Sequence, residues 1–103
     1  MNTTTLIALA EPNRLQMVEL LRDGPLTVGE IADRLRIRQP QVSKHLKILN
    51  DALIVKVSPV ANRRIYNLRV EPFQELGSWL DTFHSKWEER LDNLEEYLQN
   101  IQK

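Results

Sequence analysis

Two runs with apolar residues at helical spacing meet across a gap of only about three residues, and no other feature constrains the fold as much. The first opens with Thr27-Val28-Gly29-Glu30. There Thr27 can cap the Glu30 amide while the Glu30 side chain reaches back to the Thr27 amide. Val28, Ile31, Ala32 and Leu35 then form its buried side. The second run starts near Gln39-Pro40 and turns Val42, Leu46 and Leu49 inward, four and three residues apart. Two short helices around so tight a turn have the layout of a helix-turn-helix.

The flanking segments complete an outline. A short helix is expected over about Thr4 to Leu9. A second begins with Pro12, whose missing N–H costs nothing in a first turn, and ends at Gly24-Pro25. Leu15, Val18 and Leu21 would form its apolar stripe. After Ala52 the period changes to β-branched and aromatic runs, Leu53 to Val57 and Arg64 to Leu68. A loop of about six residues, Ser58 to Arg63, joins them into a hairpin with two arginines at its tip or on its return strand. From about Pro72 to Ile101 a single helix of roughly 45 Å is expected. Phe73, Leu76, Leu80, Phe83, Trp87, Leu91, Leu94, Leu98 and Ile101 fall inside an arc of roughly 80° on it, and Trp79 and Tyr97 widen one edge. Gly77, a weak spot costing about 1 kcal/mol against alanine, marks a bend or a close helix crossing.

Charge gives this outline a direction. The chain has 103 residues and a formal net charge of zero, yet Arg34 to Arg69 holds nine bases and one acid, Asp51, for a net of +8. From Val70 onward three bases face eight acids, a net of −5. A basic middle beside an acidic end suggests a polyanion-binding surface. At this length about two-thirds of the unfolded surface can be buried, so a second subunit helps. Cysteine is absent, which excludes disulfides, thiolate metal sites and cysteine nucleophiles. No window approaches the ~18 to 20 apolar residues of a membrane span, and Met1-Asn2-Thr3-Thr4-Thr5 lacks a signal-peptide pattern. The expected setting is cytoplasmic, with no membrane partner.

Helix, turn, basic helix and an arginine-bearing hairpin predict a mainly α fold with a small β-hairpin, a winged helix-turn-helix with a long C-terminal dimerisation helix. We read residues 1–103 as one such domain, with a DNA-binding body over about 4–70, a wing over 53–69 and the long helix over 71–101. The second helix of the pair can enter the major groove of double-stranded DNA. Gln39, Gln41, Ser43 and Lys44 are then candidates for base edges, and Arg38 and Lys47 for phosphates that fix the register. Arg63 and Arg64 would reach phosphates or an adjacent minor groove. His45 admits two readings, a base reader or a structural histidine between helices.

Four segments carry a family resemblance: Leu9-Ala10-Glu11-Pro12-Asn13-Arg14, Leu26 to Ala32, Gln39-Pro40-Gln41-Val42-Ser43-Lys44-His45-Leu46 and Arg63-Arg64-Ile65-Tyr66. Over about Leu6 to Leu80 the chain resembles the ArsR/SmtB family of bacterial repressors. The resemblance implies a winged-helix homodimer, joined through its first and last helices, that binds an operator and blocks transcription. It puts Gln39, Ser43, Lys44 and His45 on positions used for DNA contact and supports Arg63 and Arg64 in the wing. The dimer interface it implies would take in Leu6, Leu9, Leu80, Phe83, Trp87, Leu91, Leu94 and Leu98.

Departures from the family pattern sharpen the expectation. Arg36 and Arg38 stand where members commonly have small residues, which leaves the second helix without a serine cap but adds phosphate affinity. Leu53 replaces a helix-ending glycine, so strain or re-routing is expected at the strand entry. Thr27 and Gly29 occupy the places of the metal-sensing cysteines, and Asp81, His84 and Glu88 lack the second histidine of the other family site. We therefore assign no metal and no cofactor. The inducer, small molecule or protein, is left open. The competing function is a winged-helix protein-interaction module. Asp81, His84 and Glu88 lack a surrounding pocket loop, and no nucleophile or phosphate-loop motif is present, so an enzyme is not expected.

Overall fold

The computed structural model describes residues 2–102. In chain order the elements are α1 (Thr3–Leu9), α2 (Pro12–Leu21), β1 (Leu26–Thr27), α3 (Val28–Leu35), α4 (Gln39–Asp51), β2 (Val55–Val60), β3 (Arg63–Leu68) and α5 (Glu71–Ile101). The chain divides into two compact units, one ending at Pro72 and the other beginning at Phe73.

The first unit is built on a core of Met17 from α2, Ile31 from α3, Val42, Leu46 and Leu49 from α4, and Ile54 and Val55 at the entry to β2, all at 0% exposure. Burial of each large aliphatic side chain contributes about 1.5–3 kcal/mol, so these seven residues weld three helices to the sheet. α3 starts as its sequence requires. Thr27 Oγ1 accepts from the Glu30 amide at 3.2 Å, and the Thr27 amide donates to Glu30 Oε1 at 3.2 Å. Glu11 caps α2 in the same manner, its Oε2 accepting from the Arg14 amide at 2.8 Å.

The expected apolar stripe of α2 is rotated. Val18 and Leu21 are buried, but Met17 joins them and Leu15 is exposed. Val28 and Leu35 of α3 are only half-buried, so Ile31 and Ala32 carry that helix's packing.

The sheet differs from a simple hairpin. It has three antiparallel strands in the order β1-β3-β2, with Leu26 opposite Tyr66 and Thr27 opposite Ile65. The expected six-residue loop shrinks to Ala61-Asn62, because Ser58, Pro59 and Val60 continue β2 opposite Ile65, Arg64 and Arg63. Proline is tolerated there because β2 is an edge strand, where a missing donor need not break a ladder on its outer side. Leu53, assigned to the strand from sequence, instead belongs to the turn that precedes it.

The second unit is the continuation of α5. The expected helix is present over its full length, 31 residues from Glu71 to Ile101. Its stripe from Leu80 to Ile101 is solvent-exposed. Trp79 and Phe83 meet edge to face, with ring centroids 5.0 Å apart. The Arg90 guanidinium lies 5.9 Å from the Trp87 ring centre, and Leu80, Phe83, His84, Lys86, Trp87 and Arg90 line an open apolar groove of about 350 Å³.

Candidate nucleic-acid interface

α4 has two faces with opposite fates. Val42, Leu46 and Leu49 are sealed in the core, while Gln39, Gln41, Ser43, Lys44 and Lys47 are exposed. The helix begins at Arg38, whose side chain makes no cap hydrogen bond; Pro40 in the first turn and the Gln41 and Val42 amides bonded to the Arg38 carbonyl set its start. Arg38 is exposed, so its guanidinium is available to an outside anion. Gln39 leans back over α3, its Nε2 lying 3.4 Å from where a Cβ on Gly29 would stand. A larger residue at 29 would push that amide outward.

His45 is placed apart from the other candidates of α4. It is half-buried, with Nδ1 3.4 Å from Arg14 Nη1 and 3.8 Å from Glu11 Oε2. Nδ1 thus faces both a guanidinium donor and a carboxylate acceptor. Arg14 also donates from Nε to the Ala8 carbonyl at 2.7 Å and from Nη2 to the Ile7 carbonyl at 3.5 Å. One guanidinium thus fastens the end of α1 and the middle of α4 to α2. Of the two readings of His45, this geometry supports the structural one.

In the wing, Arg63 and Arg64 both lie on the return strand and both are exposed. Successive strand residues point to opposite faces, so the two side chains diverge. Arg69, counted among the basic residues, has a different task. Its Nε donates to the Val55 carbonyl at 3.2 Å and ties the end of the hairpin to its beginning. Among the described residues, no lysine or arginine from Arg34 to Arg64 enters an ion pair. Two of them, Arg34 and Arg63, act on Glu30. Its carboxyl is held below the ordinary glutamate range by the hydrogen bonds from Thr27, against a lesser opposing effect of desolvation, with Arg34 and then Arg63 adding still smaller electrostatic contributions.

Three residues other than glycine have positive φ: Arg36 at 56°, Leu53 at 60° and Ala61 at 56°. They fall in the turn before α4, in the turn after it and at the tip of the wing. Leu53, at the strand entry where strain or re-routing is expected, thus takes the left-handed conformation.

The candidate dimer residues are distributed unevenly. Leu6 and Leu9 of α1 are half-buried, whereas Ile7, outside the expected interface, is 68% exposed. Ile7 lines a shallow groove of about 270 Å³ with Thr4, Ala8, Ile48, Asp51 and Ala52. Leu80, Phe83, Trp87, Leu91, Leu94 and Leu98 are all exposed on α5. Among the described residues, Asp81, His84 and Glu88 form no cluster able to hold a metal. No helix among these residues is long and apolar enough to cross a membrane.

The profile of the bacterial regulatory proteins of the arsR family matches residues 11–57, from the α2 cap to the first strand of the wing. An HTH-type transcriptional regulator of Mycobacterium tuberculosis is 42% identical over 79 residues, covering 77% of this chain and 74% of that protein. The chain belongs to the arsR family. It is a transcriptional regulator and not an enzyme. The transcriptional repressor SdpR of Bacillus subtilis is 30% identical over 79 residues, 77% of this chain and 88% of the repressor. A crystal structure of an ArsR family transcriptional regulator superposes with a TM-score of 0.74 at 29% identity, covering 84% of this chain and 89% of that one. An ArsR-like regulator from Rhodococcus sp. RHA1 has the same fold, with a TM-score of 0.76 at 19% identity over 91% of this chain and 89% of its own. This arsR-family chain is thus a winged helix-turn-helix with a long C-terminal helix.

Proposed function

We propose that this arsR-family regulator is a homodimeric repressor that binds a palindromic operator and excludes the transcription machinery by occupying it. The observation that carries the reading is the division of α4, with its apolar face at 0% exposure and Gln41, Ser43, Lys44 and Lys47 presented to solvent. A helix so anchored can enter the major groove without losing its place in the fold. Gln41 can bond an adenine bidentately, Lys44 can reach a guanine or a phosphate, and Ser43 is short enough for a base or backbone contact. Arg38 and Lys47 fix the register on phosphates, and Arg63 and Arg64 diverge to grip flanking backbone. Gln39, bent toward Gly29, serves at the margin. Two copies joined along α5 present two such helices to half-sites about one helical turn apart. SdpR and other relatives are named repressors, which supports the sense of the regulation.

The test begins with selection of bound genomic fragments, followed by salt-titrated binding. Replacing Gln41 and Lys44 by alanine is expected to erode the preference for the selected operator, at about 1–3 kcal/mol for each lost bidentate base contact. Replacing Arg63 and Arg64 by alanine is expected to weaken binding to every duplex and flatten the salt dependence. Unchanged binding in both double variants would refute the assignment.

A further inference from the structure

We infer that Arg36 is a phosphate anchor built into the turn of the helix-turn-helix, where it holds a backbone conformation more favourable for glycine in exchange for a contact with the DNA backbone. The inference rests on the DNA-binding reading above and adds to it a site outside α4 and the wing.

The turn itself dictates the conformation. The Arg36 and Ile37 amides both close on the Ala32 carbonyl, and this closure sets Arg36 at φ 56°, ψ 45°, the left-handed region. Glycine adopts that region without penalty and asparagine at a small one, because its short amide can bond locally. A long arginine side chain gains no such relief. Nor does it serve the fold here, since it is exposed and, among the described residues, makes no ion pair and no side-chain hydrogen bond.

Its neighbours make the position less favourable still. Arg34, Arg36 and Arg38 place three cations within five residues, all of them exposed. Like charges this close in the chain repel one another wherever their separation falls below a Debye length of roughly 10 Å. A polyanion reverses the sign of that interaction. The location supplies the polyanion, because Arg38 caps the leading end of α4, the end directed at the groove, where the phosphates flanking the contacted base pairs lie. Leu53 offers a comparison within the same molecule. It is left-handed and exposed as well, but carries no charge.

Arg36→Gly and Arg36→Asn remove the charge and keep the turn, while Arg36→Lys keeps the charge. For Arg36→Gly the melting temperature is expected to rise by about 4 °C. Affinity for operator and random duplex alike should fall about tenfold, and the slope of log affinity against log salt should drop by about one per protomer. Arg36→Lys is expected to retain the wild-type slope. Leu53→Gly should raise the melting temperature and leave the slope unchanged. A wild-type slope in both Arg36→Gly and Arg36→Asn overturns the anchor, and so does a lower melting temperature in both, which would make the arginine a support of the fold. The two readings fail separately. If Gln41, Lys44 and the wing arginines alter binding and Arg36 does not, the anchor alone falls; if the wild-type protein binds no duplex at all, both fall.

Discussion

In α4, Val42, Leu46 and Leu49 reach 0% exposure beneath α2, α3 and the sheet, whereas in α5 the same kind of spacing leaves Leu80, Phe83, Trp87, Leu91, Leu94, Leu98 and Ile101 at 43–59%. Both helices show apolar residues three and four apart, so periodicity establishes that a face exists without naming what covers it. The covering of α4 lies within its own unit. For α5 a stripe of this length in water calls for a second surface, and in the proposed homodimer an antiparallel or crossing copy of the same helix would supply it. Charge separates the two regions in the same sense. The helix-turn-helix and wing are basic and the last third is acidic, so one region attracts the DNA backbone while the other is repelled by it.

The largest expected effect breaks the α5 side of this contrast. Leu91→Glu combined with Leu94→Glu adds two charges to one face of an already acidic helix. Sedimentation is expected to show a monomer, and circular dichroism a body that still melts cooperatively. Operator affinity should fall about 10²- to 10⁴-fold, because the second half-site contact is no longer intramolecular. A variant that stays dimeric would move the interface away from α5, with the exposed face around Ile7 as the next place to look.

The α4 side responds differently. Leu46→Ala removes a side chain from a sealed core, where partial relaxation leaves a cavity, and is expected to cost about 2–5 kcal/mol. Because the loss lies within one unit, urea unfolding should show it equally at low and high protein concentration. Leu94→Ala should instead act through the dimer and diminish as concentration rises. A loss below about 1 kcal/mol for Leu46→Ala would mean that the core of this unit is placed elsewhere.

Where sequence and structure agree, the information is local. The Thr27–Glu30 capping box and the inward face of α4 each follow from a few adjacent residues whose chemistry leaves little choice. Where they differ, the deciding partner is remote. β1 is only two residues long and exists because Tyr66 and Ile65 lie opposite it, so no period could announce it. Pro59 suggested a loop because its place on an edge strand depends on the strand order. The exposure of Leu15 follows from the turn of α2 that buries Met17 instead. In the candidate interface, residue types alone identified the exposed polar face of α4 and the wing arginines. Hydrogen bonds across 14 and 31 residues, which sequence does not display, gave Arg69 and His45 their structural partners.

The smallest expected effect sharpens the contrast by confining a pH response to the first unit. Glu30 accepts from the Thr27 amide and hydroxyl, and these bonds favour its charged form and hold its carboxyl below the ordinary range. A carboxylate whose folded pKa is depressed contributes stability above its unfolded value, about 4.3, and that contribution disappears as pH falls through the lower folded value. Glu30→Gln keeps an acceptor for the capping box but has no charge to lose. At neutral pH the wild-type protein should therefore hold the α3 amides in slower hydrogen exchange than the variant does, and the difference should close as the solution is taken below about pH 4. The α5 amides, on the proposed dimer seam, should show no difference between the two proteins at any pH in that window. A gap that persisted unchanged in acid would mean that the capping geometry, not the carboxylate charge, carries the contribution of Glu30.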